Sequence, residues 1–168
     1  MKPRRTPDGH ERYRHRSVLP RFRDAFKGMY EAYREEPNLR FHAFAASCAL
    51  AAGVAVQLAP WEVAYLTVTV LMVLFAEMVN TAVERAVDFA AGGRHHPLAG
   101  QAKEVAAGAV LLSALHALFA FGYLFIYSRG IVETAAAVLN LGLKQPAWLL
   151  LPLAAGVLGL LGGERGRT

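Results

Sequence analysis

The sequence is poor in residues and motifs from which several kinds of protein are built. It contains one cysteine, Cys48, which excludes an intrachain disulfide and predicts a small buried side chain. Neither the GxxxxGK[ST] motif of P-loop proteins nor the glycine-rich loop of protein kinases occurs, so a nucleotide site would have to be of another kind. His95 and His96 are adjacent, but no cysteine or second histidine pair lies nearby, which argues against zinc.

Apolar residues are abundant and clustered. In 168 residues, 55% are hydrophobic and the mean hydropathy is +0.29, which is too apolar for an ordinary soluble domain of this length. Long apolar runs extend from Leu39 to Leu161, and nothing before them resembles the cleavage site of a signal peptide. The sequence therefore predicts an all-α integral membrane protein whose first span stays in the membrane.

Basic residues are concentrated at the start of the chain. The formal net charge is +5, from 18 Lys and Arg against 13 Asp and Glu. A basic segment beside a membrane span predicts the cytoplasmic side and favours contact with anionic lipids. The segment has no nucleic-acid-reading module, so no nucleic-acid partner is expected. The basic residues before Phe41 are Lys2, Arg4, Arg5, Arg12, Arg14, Arg16, Arg21, Arg23, Lys27, Arg34 and Arg40.

The N-terminal region divides into a tail and a helix. Residues 1–16 are polar and without periodicity, which is typical of a disordered basic tail. From Ser17 to Glu36, apolar residues recur every three or four positions with basic residues between them. This pattern predicts an amphipathic helix in the membrane interface, ended or bent by Pro37.

Three membrane spans are predicted in a domain covering residues 17–128, and a C-terminal extension covers residues 129–168. The spans run from about Leu39 to Leu58, from Trp61 to about Ala90 and from about Ala102 to Tyr127. The segment 89–101 between the last two is predicted to be a cytoplasmic loop because of its Gly and Pro content. In the extension, Ala147–Leu161 is short for a span, and a fourth crossing is favoured over an interfacial or re-entrant segment.

The second span carries a narrow polar stripe. At about 100° per residue, Glu77, Asn80, Glu84 and Asp88 fall within about 80° of arc. An amphipathic surface helix would also show such a stripe, but carboxylates in a membrane span are costly unless they face a protein interior or bind a ligand. Carboxylates in this arrangement suit Mg²⁺, and Lys103 lies where it can meet a nucleotide phosphate. His116, in the third span, is expected to be packed and hydrogen-bonded rather than catalytic.

These residues resemble a known family. The run EMVNTAVERAVD from Glu77 to Asp88, followed by HPLA from His96 and AKEVAA from Ala102, is similar to the small prokaryotic diacylglycerol kinase and undecaprenol kinase family. The segment EEPNLRFH at 35–42 resembles the approach to that family's first span, and the likeness covers about residues 20–127.

The resemblance implies a homotrimer with three spans per subunit in the inner (plasma) membrane of a bacterium. It also implies active sites shared between subunits at the cytoplasmic boundary, with ATP as phosphoryl donor and Mg²⁺ as cofactor. Undecaprenol is favoured as the lipid alcohol over diacylglycerol, and a different class of alternative is a non-catalytic transport or interaction subunit that uses the carboxylates as a proton relay. One departure is Glu104, where many relatives have Asp.

The resemblance further implies a role for each matching residue. Glu77 is expected to be the general base, Glu36 and Glu84 the metal ligands, and Asn80 and Asp88 their support. The residues expected to contact ATP are Glu36, Glu84, Arg94, His95, His96, Lys103 and Glu104. The residues expected on the lipid side are Asn38, Leu39, Arg40, His42 and Glu77.

Overall fold

The computed structural model describes residues 18–150, 152–154 and 156–157, and every regular element in this part of the chain is helical. This confirms the all-α prediction, whereas the predicted disordered tail and the end of the predicted fourth span lie outside the described residues. The helices are α1 (Val18–Glu35), α2 (Pro37–Ala55), α3 (Pro60–Ala91), α4 (Pro97–Phe121) and α5 (Ile131–Lys144). A π-helix (Gly122–Tyr127) continues α4, and a 3₁₀ helix (Pro146–Leu149) follows α5.

Prolines mark where helices start. Pro37, Pro60 and Pro97 each occupy the first turn of a helix, where the missing N–H has no intrahelical partner to lose. The break predicted at Pro37 is confirmed, since α1 ends at Glu35 and Glu36 is extended (φ −98°, ψ 111°).

The predicted loop 89–101 was too long. α3 continues to Ala91 and ends in the left-handed Gly92 (φ 55°), which closes the helix at little steric cost. α4 already begins at Pro97, because the His96 side chain accepts the Leu98 N–H at 3.3 Å and caps the helix. The connection is therefore residues 92–96, and the third apolar helix starts five residues earlier than predicted.

Two of the described helices are long and apolar enough to cross a membrane, Pro60–Ala91 and Pro97–Tyr127. They agree with the second and third predicted spans. α2, with 19 residues, is apolar over most of its length but is not one of the two. Large apolar side chains such as Phe75, Leu112 and Phe119 are about 70% exposed on α3 and α4, as expected of surfaces that contact lipid or another chain.

The helices pack against one another in a bundle. α3 packs along α4, α2 packs against α3, and α5 folds back on α2. The buried cluster of Leu66, Leu124 and Phe125 joins α3 to the π-helix. α1 contacts α2 and α3, and its apolar residues Phe22 and Phe26 are exposed.

An ion pair joins the start of α3 to the end of the π-helix. Glu62 is 6% exposed and receives two hydrogen bonds from the Arg129 guanidinium, at 3.0 and 2.6 Å. Arg129 also donates to the Leu124 carbonyl at 2.9 Å, and Thr134 donates to the Phe125 carbonyl at 2.6 Å. These donors satisfy carbonyls in the π-helix, and the hydrogen bonds to Glu62 raise the pKa of the Arg129 guanidinium.

Candidate functional site

The site begins with a buried contact between α2 and α3. The Glu77 side chain is 4% exposed, and its Oε1 lies 3.1 Å from His42 Nε2, where a protonated Nε2 donates a hydrogen bond to the carboxylate. Glu77 lies in the middle of a helix long enough to cross a membrane. A carboxylate at this depth needs a partner or a ligand, and His42 supplies the partner.

The polar stripe continues along α3 toward its C-terminal end. Asn80 Nδ2 donates to Glu84 Oε1 at 2.9 Å. Its amide oxygen, Oδ1, is buried and has no hydrogen-bond partner among the described residues. A buried acceptor without a partner is costly in a structure unless water, an ion or a ligand completes it. Asn80 Oδ1 can therefore accept a further hydrogen bond or coordinate a cation.

The junction of α1 and α2 is held beside the stripe by an arginine. Arg85 Nη2 lies 2.9 Å from Glu35 Oε2 and 3.8 Å from Glu36 Oε1. Glu36 and Glu84 both lie within electrostatic range of Glu77. Two carboxylates of α3 and one from the α1–α2 junction thus lie in one region, and the sequence interpretation did not assign Arg85 any role in holding Glu36 there.

The oxygen donors suit Mg²⁺ better than a metal that needs a closed cage. Among the described residues, no three His, Cys, Asp or Glu side chains are close enough to enclose an ion. Mg²⁺ is commonly held by one or two carboxylates while substrate phosphates and waters complete its shell. Glu36, Glu84 and the unpartnered Asn80 Oδ1 offer only oxygen atoms, which is the ligand type that Mg²⁺ prefers.

A cleft of about 570 Å³ lies at the end of α3. Lys103 Nζ contacts Asp88 Oδ1 at 2.6 Å across it, so the start of α4 is tied to the end of α3. Glycines 92 and 93 have positive φ and let the chain turn sharply between the two helices. The cleft's polar side chains are Asp88, Arg94, His95, His96 and Lys103.

The structure brings together some of the predicted site residues and separates others. Glu104 is exposed on α4 and is not one of the residues that line the cleft. On the predicted lipid side, His42 reaches Glu77, whereas Leu39 is buried and Asn38 is exposed. Arg40 donates to the Arg34 carbonyl at 2.6 Å and so fixes the α1–α2 junction.

Comparison with known proteins gives consistent matches. The family model described as prokaryotic diacylglycerol kinase matches residues 23–125. A diacylglycerol kinase from Synechocystis sp. is 37% identical over 110 residues, which are 66% of this chain and 63% of that protein. An undecaprenol kinase from Bacillus subtilis is 40% identical over 107 residues, which are 60% of this chain and 85% of that protein. No solved structure matches the chain significantly.

Proposed function

The chain belongs to the prokaryotic diacylglycerol kinase family, and on this premise we propose that it transfers the γ-phosphoryl group of ATP to the hydroxyl of a membrane lipid alcohol. The observation that carries the proposal is the buried Glu77–His42 pair, because Glu77 lies on α3, the helix that ends at the polar cleft. Glu77 and Glu84 are about 10 Å apart along α3 at 1.5 Å per residue. One helix thus joins an apolar acceptor side to a polar donor side.

In the proposed reaction Glu77 is the general base. Its carboxylate accepts the proton of the lipid hydroxyl while the hydroxyl oxygen bonds to the γ-phosphorus. The bond from that phosphorus to the β–γ bridging oxygen breaks, and ADP leaves. His42, at 3.1 Å, orients the carboxylate by hydrogen bonding. Phosphoryl transfer depends mostly on positioning and charge neutralisation, which matches a site without a protein nucleophile.

The nucleotide is proposed to lie in the cleft at the end of α3. Lys103 is the cation nearest Asp88, and it exchanges that carboxylate for phosphate oxygens when ATP binds. Arg94, His95 and His96 line the same cleft and add donors for the phosphates. Glu104 is proposed to contact the nucleotide from the rim, and Asp88 to support Lys103.

Mg²⁺ is proposed as the cofactor, held by Glu36 and Glu84 with the phosphates of ATP. When bound there, Mg²⁺ would neutralise charge on the phosphoryl oxygens. The Asn80 side chain bridges to Glu84 at 2.9 Å and keeps that carboxylate oriented. Arg85 holds the Glu36 side of the site through the α1–α2 junction.

Undecaprenol is the proposed acceptor, with diacylglycerol as the alternative. The names of the two relatives divide between these lipids. The match to the undecaprenol kinase covers 85% of that protein, against 63% for the diacylglycerol kinase. The segment 35–42 and the HPLA sequence from His96 also favour the undecaprenol branch.

The proposed setting is the plasma membrane of a bacterium. In it α1 lies in the interface, α2, α3 and α4 cross, and the cleft faces the cytoplasm beside the basic N-terminal segment. The exposed apolar faces of α3 and α4 support contacts with lipid and with neighbouring subunits of a homotrimer. A fourth crossing after Pro146 is proposed for the extension.

Turnover with labelled ATP tests the proposal. Purified protein in lipid nanodiscs is offered undecaprenol and diacylglycerol separately, and Glu77→Gln is compared with Glu133→Gln, which alters an exposed carboxylate on α5. Loss of a general base lowers turnover by about 10²- to 10⁴-fold, so Glu77→Gln falls by this factor while Glu133→Gln stays at the wild-type rate. A wild-type chain without ATP turnover on either lipid supports the non-catalytic alternative instead.

A further inference from the structure

A second, narrower cavity lies beside the Glu77–His42 pair, between α2, α3 and α4. Its volume is about 180 Å³. His42 lies at one end, Ala45, Ala46 and Ala49 form its wall on α2, and Val73 of α3 faces them. From His42 to Ala49 this wall is about 10 Å long at 1.5 Å per residue. The cavity, hereafter the acceptor slot, therefore leads from the catalytic pair toward the far side of the bundle.

An open slot is unexpected between helices that are lined with alanines. Small residues in membrane helices normally let the helices approach closely, and protein interiors contain few voids larger than a water molecule. Here the same small side chains line a gap although Val73, on the opposite wall, is only 7% exposed. A gap kept beside a catalytic carboxylate is explained when a ligand fills it.

The slot accepts hydrocarbon rather than water. Thr69, which lines it, donates its hydroxyl to the Tyr65 carbonyl at 2.9 Å and contacts His116 Nε2 at 3.3 Å. The polar atoms of Thr69 are therefore engaged within the bundle, and the remaining wall is mostly alkyl and aromatic. Apolar cavities of this kind stay dry and bind apolar groups.

We propose that the acceptor slot holds the hydrocarbon next to the hydroxyl of a single-chain lipid alcohol and so selects a polyisoprenoid alcohol over diacylglycerol. This inference rests on the proposed kinase activity. A hydroxyl at Glu77 places the first carbons of its chain at the His42 end of the slot. The volume is below the roughly 300–1,000 Å³ of sites that enclose drug-sized molecules, so it takes part of one chain.

The chemistry of the two lipids explains the selection. A polyisoprenoid alcohol has one chain on its hydroxyl-bearing carbon, and that chain can enter the slot directly. In diacylglycerol two ester-linked chains diverge close to the hydroxyl. Because the slot has room for only one chain, the second chain and its ester groups would press against the packed side chains of its wall. Overfilling a packed interior in this way is destabilising.

The test changes the width of the slot at two places. Ala46→Leu fills it, Val73→Ala widens it, and Ala64→Leu is the matched control because Ala64 is exposed on α3 and does not line the slot. Added or removed methyl groups in an apolar pocket change kcat/KM by about 10- to 200-fold. We expect Ala46→Leu to lower kcat/KM for undecaprenol by about tenfold or more with the KM for ATP unchanged, and the control to match wild type.

Two further readouts keep the assignment testable if Ala46→Leu folds poorly. Val73→Ala is expected to raise kcat/KM for diacylglycerol relative to undecaprenol. A photoreactive isoprenyl alcohol, which needs no turnover, is expected to label the peptide containing residues 45–49 in wild type and the control. Labelling of a different peptide would overturn the assignment of the acceptor slot even when the chain is an active kinase. So would an unchanged ratio of the kcat/KM values for the two lipids in Val73→Ala. An inactive wild type on both lipids overturns the proposed function and the slot with it.

Discussion

Removing Arg129 tests whether the ion pair at the far end of α3 stabilises the bundle. The Arg129 guanidinium makes hydrogen bonds of 3.0 and 2.6 Å to Glu62, and Glu62 is 6% exposed. Arg129→Met keeps a long apolar side chain but leaves this carboxylate without its cation. It also removes one of the donors to the Leu124 carbonyl, which still accepts the Ser128 hydroxyl at 3.0 Å.

The expected loss follows from the burial of the pair. Breaking a buried ion pair costs about 3–5 kcal/mol because one charge stays uncompensated. The Arg129 side chain is 23% exposed and lies at the end of the bundle, so we expect the lower end, about 3 kcal/mol. At about 2–4 °C per kcal/mol for a domain of 150–250 residues, the unfolding temperature falls by about 6–12 °C.

Thermal unfolding in detergent, followed by circular dichroism, measures this change. The double variant Glu62→Gln/Arg129→Met is the control, because a glutamine at position 62 still accepts the Ala59 N–H but carries no charge. We expect the double variant to be more stable than Arg129→Met. Turnover of folded protein should be unchanged, since Glu62 is about 22 Å from Glu77 along α3. An unaltered unfolding temperature in Arg129→Met, or a double variant less stable than it, would refute the reasoning.

Two further predictions concern the metal and the extension. Glu36→Ala and Glu84→Ala should each raise the Mg²⁺ concentration needed for half-maximal turnover, because a sparse site loses one of few protein ligands; wild-type titrations in both would contradict the ligand assignment. Truncation after Gly130 should preserve kinase activity in detergent but lower the unfolding temperature, since it removes the packing of α5 on α2 and the Thr134–Phe125 hydrogen bond. Loss of activity in a folded truncated chain would place the extension in the catalytic unit.

The sequence located the two long apolar helices, but it predicted neither α5 nor how the helices pair. Proline positions and apolar runs located α3 and α4 within a few residues, and the stripe from Glu77 to Asp88 does lie on one helix. The loop before α4 was overestimated because Gly-Gly and Pro indicate a break without saying how short it is. The turn closes in residues 92–96 since Gly92 and His96 terminate the two helices themselves.

Long-range partners were the part that the sequence could not supply. His42 was placed on the lipid side, yet its contact with Glu77 joins residues 35 positions apart, and spacing along one helix carries no such information. Glu62 and Arg129 are separated by 67 positions. In the sequence each is a single charge near the end of a predicted span, and nothing indicates that the two form a pair. Arg85 was visible as a cation beside Glu84, which was a usable signal for its pairing with Glu35.

The carboxylates toward the two ends of α3 differ in how completely they are paired. At the far end, both oxygens of Glu62 accept hydrogen bonds from one guanidinium, an arrangement that satisfies the charge within the chain. Toward the cleft, Glu77 has a histidine partner, Glu84 has only a neutral amide donor described, and Asn80 Oδ1 has no described partner. Buried acidic groups that serve stability are normally paired and hydrogen-bonded. This helix pairs Glu62 fully at one end, and the incomplete pairing of the half-buried Glu84 and of Asn80 Oδ1 at the other end supports the proposal that a cation binds there together with the substrate phosphates.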